Sequence, residues 1–225
     1  MKKLVIMMVS VVLAVGSASA QNIFFSAKEG TKLLYANLNA KGKADTYTRL
    51  TIRKVEGSGN NLTIHYVSQA LDKNKKASDE TSIEVPITIT VVNGVVEWNM
   101  KSFAAPGTEA FITIEGDKLR LPSTLSPGDK LDDVTFTMTL NMGFKIRTEV
   151  ALSDQKCLAI EDVTVPAGTF KCHKVSQTSV ATVMRKTVTS KILTWYAPGI
   201  GTVKTESYND KGALQNATVL EQIEK

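Results

Sequence analysis

Histidine and cysteine are scarce in this chain, with two of each among 225 residues. Two cysteines allow at most one bridge, which excludes a disulfide-stapled scaffold. His65 and His173 lie far apart in sequence, without the clustered spacing of a metal motif. There is no G-x-S-x-G elbow for a nucleophilic serine and no glycine-rich loop of the phosphate-cradling kind. Charge of one sign is also modest. The net charge is +5, and it falls to about +3 without Lys2 and Lys3, which gives no footprint for nucleic acid. The densest basic run, Lys73-Asn74-Lys75-Lys76, reads as a solvated turn between strands.

A long helical pattern is missing too. Beyond the first 20 residues no apolar period of 3.6 persists for three turns, which excludes a helix bundle and the crossovers of a parallel sheet. Short helical turns are the most the pattern allows, around residues 22–30, 98–105 and 121–131. No apolar run after residue 20 reaches the ~20 residues of a membrane span.

The N-terminus carries a leader. Lys2 and Lys3 precede an apolar run from Leu4 to Val15, and Ser17-Ala18-Ser19-Ala20 supplies small residues for cleavage before Gln21. No cysteine follows that junction to take a lipid. Residues 1–20 are therefore expected as a signal peptide and 21–225 as one β-rich domain, periplasmic or secreted. Roughly 205 residues suffice for one good core.

The rest of the chain alternates with period two. Val134, Phe136, Met138 and Leu140 interleave with threonines; Ile83, Val85, Ile87 and Ile89 form a second set, and Leu62, Ile64 and Tyr66 a third. Met184, Val188 and Ile192 mark a further strand. Pro86 cannot donate to a ladder and places its strand at an edge or a bulge. Asn93-Gly94 is a strong type I′ hairpin signal. Lys41-Gly42-Lys43, Gly57-Ser58-Gly59-Asn60, Gly116-Asp117, Asn141-Met142-Gly143 and Asp210-Lys211-Gly212 punctuate the remainder. Strands joined this way make an antiparallel meander. The expected fold is mainly β: a large, strongly curved antiparallel sheet, half-open barrel or sandwich, with few short helices.

The most motif-like stretch is Trp195-Tyr196-Ala197-Pro198-Gly199-Ile200-Gly201, followed by Val203-Lys204. Pro198 fixes its own φ, Gly199 suits the positive φ of a type II turn, and Gly201 permits a bulge or close backbone approach. Trp195 and Tyr196 should point to opposite faces, one into the core. These demands are architectural rather than catalytic. Around Pro166, Gly168 and Phe170 a hairpin centred near Ala167 sets Cys172 opposite Asp162 and Cys157 opposite Gln177. A pair of cysteines in an exported chain suggests a disulfide. That register separates Cys157 from Cys172 by about 17 Å, beyond disulfide reach, and favours buried thiols.

The acid pairs Asp79-Glu80, Asp132-Asp133 and Glu161-Asp162 stand next to one another in sequence, and adjacent acids on a strand diverge. No catalytic, metal or cofactor residue can be assigned. Asn61 and Asn216 open Asn-x-Thr triplets of the glycosylation pattern.

The run from Glu161 through Val165-Pro166-Ala167-Gly168-Thr169-Phe170 to Cys172, together with Trp195–Gly201 and Val203-Lys204, resembles exported proteins of Bacteroides-type bacteria related to the domain of unknown function 3108. Leu121-Pro122 to Gly128-Asp129 agrees. The resemblance implies a strongly curved antiparallel fold of the YmcC-like kind, similar in shape to the half-barrels of periplasmic lipoprotein carriers, with no established catalytic residues. Two roles follow from all this. One is a non-enzymatic envelope protein binding a lipid, glycan or protein partner through its sheet. The other is a hydrolase of envelope polymers using carboxylates that the fold brings together.

Overall fold

In the computed structural model, residues 23–77, 84–99, 101, 111–141 and 143–225 are described. Among them there are thirteen strands and no α-helix: β1 (Lys32–Asn39), β2 (Ala44–Ser58), β3 (Asn61–Leu71), β4 (Glu84–Val92), β5 (Val95–Asn99), β6 (Ile112–Gly116), β7 (Lys118–Pro122), β8 (Val134–Asn141), β9 (Lys145–Val165), β10 (Gly168–Val183), β11 (Lys186–Ala197), β12 (Gly201–Asn209) and β13 (Leu214–Glu224). They form one antiparallel sheet in the order β6-β8-β9-β10-β11-β12-β13-β1-β2-β3-β4-β5-β7. The leader expected over residues 1–20 lies outside the described residues.

The two edge strands, β6 and β7, are consecutive in the chain, separated only by Asp117. The sheet must therefore curl until its edges meet, and it forms a nearly closed barrel. The closure corrects the expectation of a hairpin at Gly116-Asp117. β6 pairs with β8 and β7 with β5, both antiparallel. Following the meander from β8 round to β5 shows that these two partners run the same way, so β6 and β7 also run the same way. They are two halves of one seam strand that changes partner at a kink. Asp117 pins the kink: its backbone N–H donates to the Thr135 carbonyl at 2.8 Å, and its carboxylate accepts from the Thr135 N–H at 2.9 Å and hydroxyl at 3.0 Å. Gly116 has φ +137°, and a Cβ there would sit 2.4 Å from the Thr135 carbonyl oxygen. Only glycine fits.

Closing the sheet gives the barrel two rims. One carries the turns Gly59-Asn60, Asn93-Gly94, Pro166-Ala167 and Pro198-Gly199-Ile200. The other carries residues 40–43, 72–77, 143–144, 184–185 and 210–213. Asn93-Gly94 takes positive φ at both positions, 51° and 81°, as type I′ demands. Pro86 lies in an interior strand, at a place where, among the described residues, β4 pairs only with β3, because β5 joins it from Ile89 onward. Met184 is not inside a strand. With Arg185 it forms the β10–β11 turn, and both residues take positive φ.

Two apolar clusters fill the structure. The larger gathers Ile52, Ile64, Tyr66, Ile89, Val96 and Leu121 around an N-terminal segment, Ile23-Phe24-Phe25, in which Phe24 is wholly buried. That segment is irregular rather than a helical turn. Its branched and aromatic residues have poor helix propensity, and the barrel interior offers them burial instead. The second cluster joins Leu33, Val165, Cys172, Trp195, Ala197, Val203 and Leu220, with the β9–β10 turn docked onto β13 by Ala167 N–H donating to the Leu220 carbonyl at 3.3 Å.

Cys157 and Cys172 are free, buried thiols. The turn between β9 and β10 is centred one half-residue earlier than the sequence suggested, because Val165 pairs Gly168. Cys172 consequently faces Glu161, and a bulge in β9 brings Cys157 opposite Val175. The cysteines end in different clusters, and no Cys157–Cys172 bridge forms. Burial pushes the Cys172 thiol up to about 11 and raises that of Cys157 as well, so both stay protonated and inert at neutral pH.

Candidate aromatic pocket

The site begins with the Pro198-Gly199 turn. Pro198 follows the last residue of β11, and Gly199 takes φ +72° with open space where a side chain would stand. The Gly199 N–H donates to the Ile23 carbonyl at 2.8 Å, fastening the N-terminal segment to the rim. Gly201 has φ +105°, and a Cβ there would lie 3.5 Å from both Phe24 O and Phe25 Cα. The close backbone approach anticipated at Gly201 is therefore the passage of Phe24-Phe25 beneath it.

Once seated, that segment turns its rings onto the barrel's own. Phe24 meets His173 edge-on at 4.8 Å and Tyr196 at 6.1 Å; Phe25 meets Tyr66 at 5.2 Å and Trp98 at 6.5 Å. The rings do not fill the interior. They leave a pocket of about 350 Å³ bordered by six aromatic residues, Phe24, Phe25, Tyr35, Tyr66, Trp98 and Tyr196, completed by Leu50, Leu119, Ile200, Gly201 and three threonines. Its volume is at the small end of ligand sites. No charged residue lines it among the described residues. Tyr35 Oη donates to the Thr202 carbonyl at 3.0 Å. Burial raises the pKa of Tyr35, Tyr66 and Tyr196, so their phenols remain neutral. The pocket can hold an uncharged body by dispersion and ring contacts, with hydroxyls to orient it. It offers no acid, base or activated nucleophile.

Of the motif residues singled out in the sequence, Tyr196 and Gly201 border this pocket, and Pro198 and Gly199 tether the segment beneath it. Trp195 points to the other face, as alternation requires, yet it too is buried, at 5% exposure. The expectation that only one of the pair is packed is thus corrected: both are. Trp195 Nε1 donates to Glu161 at 2.7 Å, and the Lys174 and Lys204 ammonium groups flank its ring, each 4.9 Å from the centroid. Lys174 and Lys204 are its cross-strand neighbours on β10 and β12. Lys204 also bridges Glu206 at 2.6 Å. Glu161 is held below the usual carboxylate range, chiefly by the Trp195 hydrogen bond. Every charge in this ladder is matched, which makes it a strut. Pro166 sits in the β9–β10 turn, Gly168 opens β10 with φ +135°, and Phe170 packs against the second cluster.

Neither histidine is placed for catalysis. His173 Nδ1 donates to the Leu125 carbonyl at 2.8 Å while its ring packs on Phe24, and it points away from Cys172. His65 bridges Glu56 at 2.9 Å and Thr88 at 3.0 Å on a wet face. Asp132 and Asp133 are exposed, and Asp79-Glu80 lies outside the described residues. The carboxylates that topology does bring near each other are Glu115 and Glu149, which flank Thr137 across β6, β8 and β9 in an open trough of about 380 Å³. Two strand spacings set their backbones about 10 Å apart. Glu149 is tied to Arg147 at 3.1 Å.

Sequence reasoning missed Phe24 and Phe25, because nothing local marks an irregular segment as core. The signal was there in Ile23-Phe24-Phe25, an apolar triplet shortly after residue 20.

A nearly closed, single-sheet antiparallel barrel with an uncharged aromatic pocket is the class that fold and site define. More particularly, the chain belongs to the DUF3108-like family, whose profile matches residues 28–220. It is similar to a Bacteroides fragilis protein described as a candidate exported protein with YmcC-like fold, at TM-score 0.74 and 26% identity, over 90% of this chain and 99% of that one. A candidate lipoprotein from Parabacteroides distasonis shares the fold at TM-score 0.73 and 23% identity, over 90% and 98% of the two chains. No curated protein matches. The exported character of the Bacteroides relative agrees with an extracytoplasmic location.

Proposed function

We propose that this protein is a non-enzymatic binding protein of the cell envelope whose aromatic pocket takes an uncharged apolar group, such as a short length of acyl chain. The observation that carries this reading is the pocket of about 350 Å³ with six aromatic residues and no charge on its wall. Such a lining recovers little from a charged ligand and much from an apolar one. The leader expected over residues 1–20 supports an extracytoplasmic setting for this role, and cleavage before Gln21 would leave the new terminus two residues from Ile23, the start of the inserted segment.

The test is titration of the exported chain with an uncharged environment-sensitive dye such as N-phenyl-1-naphthylamine, alongside organic extraction and mass spectrometry of protein purified without detergent. Saturable dye binding that competes with fatty acid, and that Leu50→Trp abolishes without changing the melting temperature, supports the reading. Dye binding that Leu50→Trp leaves untouched, or none at all, would sink it.

A further inference from the structure

The rim opposite the Pro198-Gly199 turn carries features that the pocket does not use. Three successive strand ends there expose large apolar side chains: Phe111 ahead of β6 at 60%, Phe144 in the β8–β9 turn at 63%, and Met184 in the β10–β11 turn at 72%. Register places them together. Asn141 N–H donates to the Phe111 carbonyl at 2.7 Å, Asn141 pairs Lys145, and Thr148 pairs Val183. The Phe144 and Met184 tips, on adjacent strands, therefore lie within roughly three residues' rise of one another along the strands.

Basic residues surround these tips. Lys145, Arg185 and Lys186 adjoin them, and Lys41, Lys43, Lys73, Lys76 and Lys211 continue around the rim, all exposed; among the described residues none of them forms a salt bridge, and only Lys76 has a neighbouring acid, Asp72, acting on it. Arg147 and Lys75 at the same rim are engaged by Glu149 and Glu221. Asp72 is occupied by the backbone N–H groups of Asn74 and Lys76, and Asp45 by Asn39. Asp210 is exposed.

The β10–β11 turn supplies an independent sign. Met184 and Arg185 take φ of 47° and 68°, a conformation that the same chain fills with Asn93-Gly94 at the other rim. Two bulky L-residues are strained there. The turn keeps a protruding thioether and guanidinium where an easier sequence would display neither.

We infer that this rim docks on an anionic phospholipid surface, with Phe111, Phe144 and Met184 entering the headgroup layer and the rim's lysines and arginines facing the lipid charge. Apolar side chains on separate tips, with basic residues outnumbering acidic ones around them among the described residues, suit a soft, negatively charged interface better than a flat protein face. The reading is independent of the pocket.

The experiment is sedimentation of the exported chain with vesicles of roughly one-third phosphatidylglycerol in phosphatidylcholine, against phosphatidylcholine alone. Binding to the anionic vesicles that weakens with salt is expected. Phe144→Ser with Met184→Ser should weaken it about tenfold, as should Lys145→Glu with Arg185→Glu. Lys41→Glu with Lys211→Glu, far from the tips, gives a second charge test should a tip variant fold poorly. Leu50→Trp should bind vesicles as the parent does. Absence of binding, equal binding to neutral vesicles, indifference to both charge reversals, or tip-dependent self-association in place of lipid binding would each overturn the inference.

Discussion

At one rim the chain turns through Gly59-Asn60, Asn93-Gly94, Pro166-Ala167 and Pro198-Gly199-Ile200, and none of these residues is charged. At the other it turns through segments holding Lys41, Lys43, Lys73, Lys75, Lys76, Arg185 and Lys211. The first rim spends its turn residues on backbone geometry: glycines and Asn93 at positive φ, prolines at fixed φ, and Gly199 fastening Ile23. The second accepts strained or lysine-rich turns and pushes apolar side chains into water. One rim is shaped to hold the N-terminal segment, while the other is shaped by what it displays. Strained local geometry kept without a packing reward is a mark of function rather than stability.

The sharpest way to break the comparison is to abolish the rims by opening the seam. Gly116→Val should cost more than about 4 kcal/mol, because its Cβ meets backbone and the φ is hostile to L-residues. Gly199→Val meets no atom, so it should cost only about 1–3 kcal/mol, all of it conformational. Chemical denaturation of both variants checks the ratio; equal losses would mean the seam strand is not what closes the sheet.

Next in size is the segment held at the first rim. Phe24→Ala removes a wholly buried ring and should cost about 3–5 kcal/mol. If denaturation shows a loss under about 1 kcal/mol, Ile23–Phe25 is an accessory to the barrel and not part of its core.

The turn swap is a smaller effect of opposite sign. Replacing Met184-Arg185 by Asn-Gly should stabilise the protein by about 1–2 kcal/mol, by relieving two left-handed L-residues. The same variant should lose affinity for anionic vesicles. A stability gain with unchanged vesicle binding would leave the strain unexplained and weaken the contrast between the rims.

Smallest is a pH effect at the seam. Glu97 on β5 is clasped by Lys118 Nζ and Arg120 Nε of β7, each at 2.9 Å, and Lys118 foremost holds its carboxyl below the usual carboxylate range. A depressed folded value means the stabilisation is fully present above the unfolded carboxylate's titration and is lost as pH falls through the folded one. Melting temperature should therefore drop on acidification through the carboxylate range, and Glu97→Gln should flatten that dependence while lowering stability at neutral pH.

Much of the architecture was legible. Alternation at Leu62-Ile64-Tyr66 and the Asn93-Gly94 turn each lead to the observed element, because period-two burial and I′ turns are local consequences of backbone geometry. Three readings went astray for a shared reason. Gly116-Asp117 looked like a hairpin, Met184 looked like strand, and Ile23–Phe25 looked like a short helical turn. In each, the deciding partner lies far away in sequence: the β5 and β8 edges, the β9 register, the underside of Gly201. The pocket was illegible for the same reason, since its lining comes from residues spaced between Phe24 and Thr218.

What the sequence by itself determined is therefore what short-range physics controls: a mostly antiparallel β chain, most of its turns, and the φ demands at Pro198, Gly199 and Gly201. Only the tertiary structure decided closure through a split seam strand, the capture of Phe24-Phe25 beneath a glycine, and the division into a quiet rim and a basic one. Curling an antiparallel sheet on itself gathers alternate turns at each end, and no local pattern can say which turns will share a rim until the edges meet.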